Sequence, residues 1–135
     1  MTGEQIFTIT MAMIDEMTAS GQLDENSVAE YRAKTPSILT MLQSELVAIE
    51  NRYRTRENYI YPVPIDSLDQ TFQVDDNKAI DLLTNGLAAH LMLHEDKTLA
   101  NFFQQRYEEL RTVLLKPTPR SPETREDKYD AKLSY

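Results

Sequence analysis

His90 and His94 lie four residues apart in a stretch of helical apolar spacing, and Glu95 and Asp96 follow directly. Imidazoles one turn apart on a helix can share a metal ion, and nearby carboxylates could add ligands. The zinc-protease pattern also needs a glutamate directly after the first histidine, and here that position is Leu91. No third ligand is marked by spacing. The expectation is therefore histidines at the surface or at its boundary, with no metal, no cofactor and no catalytic residue assigned.

The acids offer no stronger chemistry. Asp15-Glu16 and Glu108-Glu109 are adjacent pairs on helix-patterned segments. Neighbours one apart diverge around a helix, whereas acid–base catalysis needs carboxyl groups that converge in contrasting environments. Asp24, Glu25 and Glu30 lack the central glycine of a calcium loop. No glycine-rich phosphate loop and no nucleophile elbow occurs. Phe102, Phe103 and Tyr107 fit a core better than a base-stacking platform. The chain is thus expected not to be an enzyme.

Composition narrows the class further. The 135 residues fit one domain, carry a net charge of −8 and contain no cysteine, which excludes disulfides, thiolate metal sites and a cysteine nucleophile. Nucleic-acid binders usually present a basic face. Here the first 50 residues hold eight acids against two bases. The one dense basic spot is Arg52, Arg54 and Arg56, which reads as a solvated helix end, where cations suit the dipole, or as a phosphate contact. No apolar run approaches the roughly 20 residues that span a bilayer, and MTGEQIFTITMAMIDEM does not read as a signal peptide. A cytoplasmic location with no membrane partner is expected.

The elements that must position these residues read as helices. Thr2 and Gln5 match a capping box for a helix over 4–19, with Ile6, Phe7, Ile9, Met13, Ile14 and Met17 inward and Ser20-Gly21 as its stop. Asp24 can open a short helix ending near Arg32, with Val28 and Tyr31 inward. Thr35-Pro36 reads as N-cap and first residue of another helix, running to about Arg54 with Ile38, Leu42, Leu46, Ile49 and Tyr53 buried.

Residues 55–75 change character. Pro62 and Pro64 exclude a helix interior, yet Tyr59, Ile60, Tyr61, Val63 and Ile65 are too apolar for a free linker. An ordered loop over the helices is expected, with a short edge strand at 70–74. Asp75 or Asp76 then caps a helix bearing Ile80, Leu83, Leu87 and Leu91, with Gly86 mid-helix to admit a close neighbour. A break near Glu95-Asp96 and a last helix follow, with Leu99, Phe102, Phe103, Tyr107, Leu110 and Leu114 inward; one continuous helix is the alternative. From Lys116 onward, prolines and mixed charge cannot offset ordering entropy. The resulting fold class is all-α: four to five helices in a compact bundle, a single domain over 1–115 and a flexible tail over 116–135, where Tyr129, Leu133 and Tyr135 are sparse anchors.

Two stretches carry a resemblance. EYRAKTPSILTMLQSEL (30–46) and PIDSLDQTFQVDDNKAIDLLTNGLAAHLMLHEDKTLANFFQQRYEEL (64–110) resemble small helical proteins of tailed-phage and prophage structural-gene clusters. The second is the more specific, through GLAAHL, an acidic pair and ANFFQQRYEEL. The likeness spans roughly residues 4–115 and departs at Lys97, where the group has proline. It implies a virion morphogenesis protein similar to head–tail connectors (adaptors), whose subunits form rings on the portal and pass DNA to the tail. The partners so implied are the portal, neighbouring head and tail proteins, and further copies of this chain, in the bacterial cytoplasm and then in the virion. An acidic surface would repel DNA rather than grip it, so no sequence-specific nucleic-acid binding is expected. The alternative is a prophage-encoded binding or assembly-chaperone module that never enters the particle.

Overall fold

The computed structural model describes residues 1–17, 25–74 and 76–115. Four α-helices make up most of these residues: α1 (Gly3–Met17), α2 (Glu25–Asn51), α3 (Asp76–Met92) and α4 (Lys97–Leu115). A 3₁₀ turn at Arg56–Asn58 lies in the crossover between α2 and α3. The expected all-α bundle is what the chain forms. The expected tail anchors, with all of residues 116–135, lie outside the described residues, as do the predicted stop at Ser20-Gly21 and the predicted caps Asp24 and Asp75.

The capping box at the start of α1 is closed on both sides. The Thr2 backbone N–H donates to Gln5 Oε1 at 2.9 Å, and the Gln5 N–H donates to Thr2 Oγ1 at 3.3 Å. Two further first-turn donors reach across the molecule: Gly3 N–H to the Gln70 carbonyl at 3.3 Å and Glu4 N–H to the Leu68 carbonyl at 2.8 Å. A Cβ on Gly3 would lie 3.2 Å from the Leu68 backbone, so glycine is what lets the crossover approach this closely. Ile6, Phe7 and Ile14 are buried, and burial of each such side chain stabilises by about 1.5–3 kcal/mol. Ile9, expected inward, is exposed, and Thr10 is buried instead. Thr10 can be buried because its hydroxyl donates to the Ile6 carbonyl at 2.7 Å.

α2 corrects the sequence reading. The two helices expected on either side of Thr35-Pro36 are one helix, roughly 40 Å long at 1.5 Å per residue, with Pro36 in its interior. Proline deletes one N–H, here the donor facing the Arg32 carbonyl. Arg32 itself lies on the exposed side of the helix. Thr35 is not an N-cap; its buried hydroxyl donates to the Tyr31 carbonyl at 2.7 Å. The buried positions Tyr31, Thr35, Leu39, Leu42, Leu46 and Ile49 recur every three or four residues straight through the proline. The packing of this face outweighs the local stop signal. The helix ends at Asn51 rather than Arg54, and Tyr53 turns outward, its hydroxyl reaching the Leu114 and Leu115 carbonyls at 3.1 Å.

α3 is the centre of the bundle and packs on all three other helices. Every residue from Leu82 to Ala89 is buried, around the whole circumference of the helix. Gly86 sits where two neighbours converge: an added Cβ would meet Leu42 Cδ2 at 3.0 Å and Tyr107 Cδ2 at 3.1 Å. The expectation that Gly86 admits a close neighbour holds, from α2 on one side and α4 on the other.

The break after α3 also holds. Asp96 Oδ1 accepts the Thr98 and Leu99 N–H groups at 3.0 and 3.2 Å, an N-cap that starts α4. Ala100, Phe103 and Tyr107 form the buried stripe of α4, whereas Phe102 faces out. Adjacent helical positions are separated by about 100°, so only one of the two phenylalanines can point at α3.

Candidate interaction surface

The crossover from Arg52 to Val74 contains no strand; its one sheet-like contact among the described residues is an isolated antiparallel bridge between Thr2 and Thr71. The edge strand expected at 70–74 is therefore absent. Pro62 and Pro64 remove two donors from any ladder, and side chains take its place. Asn51, the last residue of α2, clamps Ile60 at two points: Oδ1 accepts the Ile60 N–H and Nδ2 donates to the Ile60 carbonyl, both at 2.8 Å. Two turns earlier, Gln43 Nε2 donates to the Val63 carbonyl at 2.9 Å and Oε1 accepts the Gln73 N–H at 3.3 Å. One more turn back, Thr40 Oγ1 accepts the Ile65 N–H at 2.8 Å. These positions lie on one side of α2, so a single helix face holds the extended segment 60–65.

The crossover is also tied to itself. Gln73 Oε1 accepts the Val63 N–H and its Nε2 donates to the Tyr61 carbonyl, each at 2.9 Å. Gln70 accepts the Asp66 and Ser67 N–H groups at 2.6 and 2.9 Å and donates to the Pro64 carbonyl at 3.2 Å. Ile65, Phe72 and Val74 are buried and join the core. Among the described residues, no buried side-chain nitrogen or oxygen lacks a partner.

Between half-buried Ile60 and buried Ile65, all four residues 61–64 face solvent. Tyr61 is 75 % exposed and Val63 54 %, with Tyr59 beside them at 39 %. Arg52, Arg54 and Arg56 precede them in the turn and are exposed; Arg54 reaches Glu50 at 3.8 Å. Exposed arginine, tyrosine and valine side chains are thus concentrated in the stretch that follows α2, between positions 52 and 63.

Asp24 lies outside the described residues, and the described residues singled out for chemistry do not converge. α3 ends at Met92, so His90 is on the helix and half-buried while His94 is in the following turn and exposed. Asp96 is occupied as the N-cap. Among the described residues, no three His, Asp or Glu side chains are placed to hold a metal ion. Asp15 and Glu16 are exposed, Glu25 and Glu30 are exposed on α2, and Glu30 lies 3.6 Å from Lys34. Glu108 accepts from Gln104 at 3.2 Å, and Glu109 lies 3.7 Å from Arg106. Phe103 and Tyr107 are core residues, and Phe102 lies edge-on to Phe103 with ring centres 5.5 Å apart.

Two polar contacts had no signal in the sequence. Arg32 reaches Glu4 at 2.5 Å and lies 4.6 Å from the Phe7 ring centre, stapling α1 to α2. The hydrogen bond from Arg32 holds the Glu4 carboxyl below its usual pKa. The second is the Tyr107 hydroxyl donating to Glu45, which links α4 to α2. Burial raises the Tyr107 pKa above its usual value, and the bond to the Glu45 carboxylate raises it further. Gln43 did leave a trace: it is a polar residue next to Leu42 on a strongly apolar face.

Comparison with known proteins finds no matching family model, no similar curated protein and no similar solved structure. Among the described residues no helix is long and apolar enough to cross a membrane.

Proposed function

We propose that this chain is a non-catalytic assembly subunit of a tailed phage or prophage particle, of the head–tail connector kind, which docks on the portal and on neighbouring copies of itself. The observation that carries the assembly reading is the construction of the crossover. Its inner side chains are buried, its backbone is held by Asn51, Gln43, Gln73 and Gln70, and its outer side chains are left exposed. Long connections in compact domains are uncommon, and ordered ones are usually functional. Tyrosine and arginine on a rigid backbone suit recognition, because little side-chain freedom is lost on contact. The phage and connector part of the reading comes from the resemblance over 30–46 and 64–110.

Co-purification of the full chain with a portal protein from the same phage or prophage tests this. A stable complex is expected, together with the chain in purified particles. Binding to unassembled head or tail proteins without entry into particles would favour the assembly-chaperone alternative. No complex with any structural protein of the cluster would end both readings. Deleting residues 117–135 should leave the helical core folded, and a weaker complex would assign the tail a share of the contact.

A further inference from the structure

We infer that the first turns of α2, residues 25–35, are a hinged arm: they open from α1 at Pro36 as a unit while the rest of the bundle stays closed, and Arg32 is the latch. This concerns the subunit by itself and does not rest on what it docks on.

The hinge is read from the backbone. Pro36 has no N–H to give the Arg32 carbonyl, and its ring crowds that carbonyl, so the ladder of α2 is interrupted there. Hydroxyls compete with the ladder on both sides of the gap. Thr35 donates to the Tyr31 carbonyl at 2.7 Å, Thr40 to the Pro36 carbonyl at 2.8 Å and Ser44 to the Thr40 carbonyl at 3.0 Å. Such bonds back into the preceding turn weaken a helix slightly and favour bending.

The two sides of Pro36 are held unequally. Of the fifteen residues 37–51, six are buried, and Leu42 lies against Gly86 of α3. The same stretch is tied to the crossover through Thr40, Gln43 and Asn51. Thr40 marks the edge of this fixed side: its hydroxyl accepts the Ile65 N–H while it donates to the Pro36 carbonyl. Of the eleven residues 25–35, only Tyr31 and Thr35 are buried. Segments that bury little surface open at lower free energy than the core. So short a helix is marginal alone in water, so a released arm also exposes its amides.

Arg32 closes the arm from one turn before the proline. Its guanidinium lies 2.5 Å from Glu4 and 4.6 Å from the Phe7 ring centre, both on α1. Glu4 is a fixed post, because its N–H donates to the Leu68 carbonyl at 2.8 Å. Contacts of a half-exposed arginine with a carboxylate and a ring are individually weak, which suits a latch that releases. Glu30 and Lys34, 3.6 Å apart, pair within the arm and travel with it. Opening uncovers the rings of Tyr31 and Phe7, which are buried when the arm is closed.

Amide hydrogen exchange of the full chain, resolved by residue, tests this. Amides of 29–35 should exchange roughly tenfold faster than those of 39–49, or more, with the change falling as a step at Pro36. Val47→Ala trims the core beyond the hinge, so it should speed 39–49 and leave 29–35 unchanged. Arg32→Ala and Glu4→Gln should each speed 29–35 several-fold. Pro36→Ala restores the missing donor and should slow 29–35 by about tenfold, narrowing the step. Equal protection on both sides of Pro36 overturns the inference. So does a smooth gradient from 29 to 49, which is the fraying of an ordinary helix end. A Val47→Ala chain in which both halves speed alike would mean that the arm opens only when the whole bundle does. Latch variants that leave 29–35 unchanged, or a Pro36→Ala chain that keeps the full step, also overturn it.

Discussion

The α3 helix and the crossover that leads into it are held in place by opposite means. α3 is buried on all sides from Leu82 to Ala89, and its position follows from shape: at Gly86 an added Cβ would come within 3.0–3.1 Å of Leu42 and Tyr107, so the neighbours would have to give way. The crossover has two prolines, no ladder and few buried side chains. Its position follows from directed hydrogen bonds, most of them from the amides of Asn51, Gln43, Gln70 and Gln73. Apolar packing is non-directional and can hold a regular helix. An irregular segment has backbone groups at irregular places, and side-chain amides, which donate and accept at once, can meet them. The contrast also separates duties: the packed helix keeps the fold, and the amide-held segment is free to display its outer face.

Removing bulk from the packed region should have the largest effect. Phe103→Ala is expected to cost about 3–5 kcal/mol, as buried phenylalanine truncations do, seen as a large fall in thermal and denaturant midpoints. A cost under 1 kcal/mol would mean that the α3–α4 contact is not central. Gln43→Ala should cost about 2 kcal/mol, since it strips partners from the Val63 carbonyl and the Gln73 N–H. Its signature differs: amide exchange and proteolysis should rise in 61–73 before the helices open. Uniform loss of protection would instead place the crossover and the core in one cooperative unit.

Tyr107→Phe should cost about 1 kcal/mol, the net worth of one hydrogen bond. It also has a pH test. The folded-state pKa of Tyr107 is raised above the ordinary value of 10.0, so the stability it contributes is complete below that pH. That stability is lost as pH rises beyond it, because the unfolded chain then ionises while the folded one resists. Wild type should lose stability above pH 10 more steeply than the phenylalanine variant. Matching slopes would remove the Glu45 contact from the account of how α4 meets α2. The smallest effect is expected at the outer face, where Tyr61→Ser should change stability by no more than about 0.5 kcal/mol. A larger cost would show that Tyr61 serves the fold rather than display.

Much of the fold was legible in local patterns. The Thr2–Gln5 box, the Asp96 cap and the role of Gly86 follow from residue chemistry over a few positions, and all three hold in the structure. Pro36 misled for a definable reason. Thr-Pro is a start signal only if the preceding turn is not helical, and that turn is held by Tyr31 and Thr35 on a face that α1 and α3 cover. Ile9 and Phe102 misled because apolarity alone does not say which of two adjacent positions faces inward. The interaction surface was only half visible: prolines and aromatics between 55 and 75 mark an ordered segment, but not which side is out.

By itself, then, the sequence determined the helical class, most helix starts and the non-helical character of the crossover. These depend on interactions within about one helical turn, which neighbouring residue types report. Tertiary structure alone decided that α2 runs through Pro36, that α3 lies at the centre, and that Tyr61 and Val63 are exposed while Ile65 is buried. Each of those outcomes depends on partners 20 or more residues away, such as Gln43 with Val63, Thr40 with Ile65 and Glu45 with Tyr107. No local pattern encodes a contact whose partner is chosen only once the chain has folded back on itself.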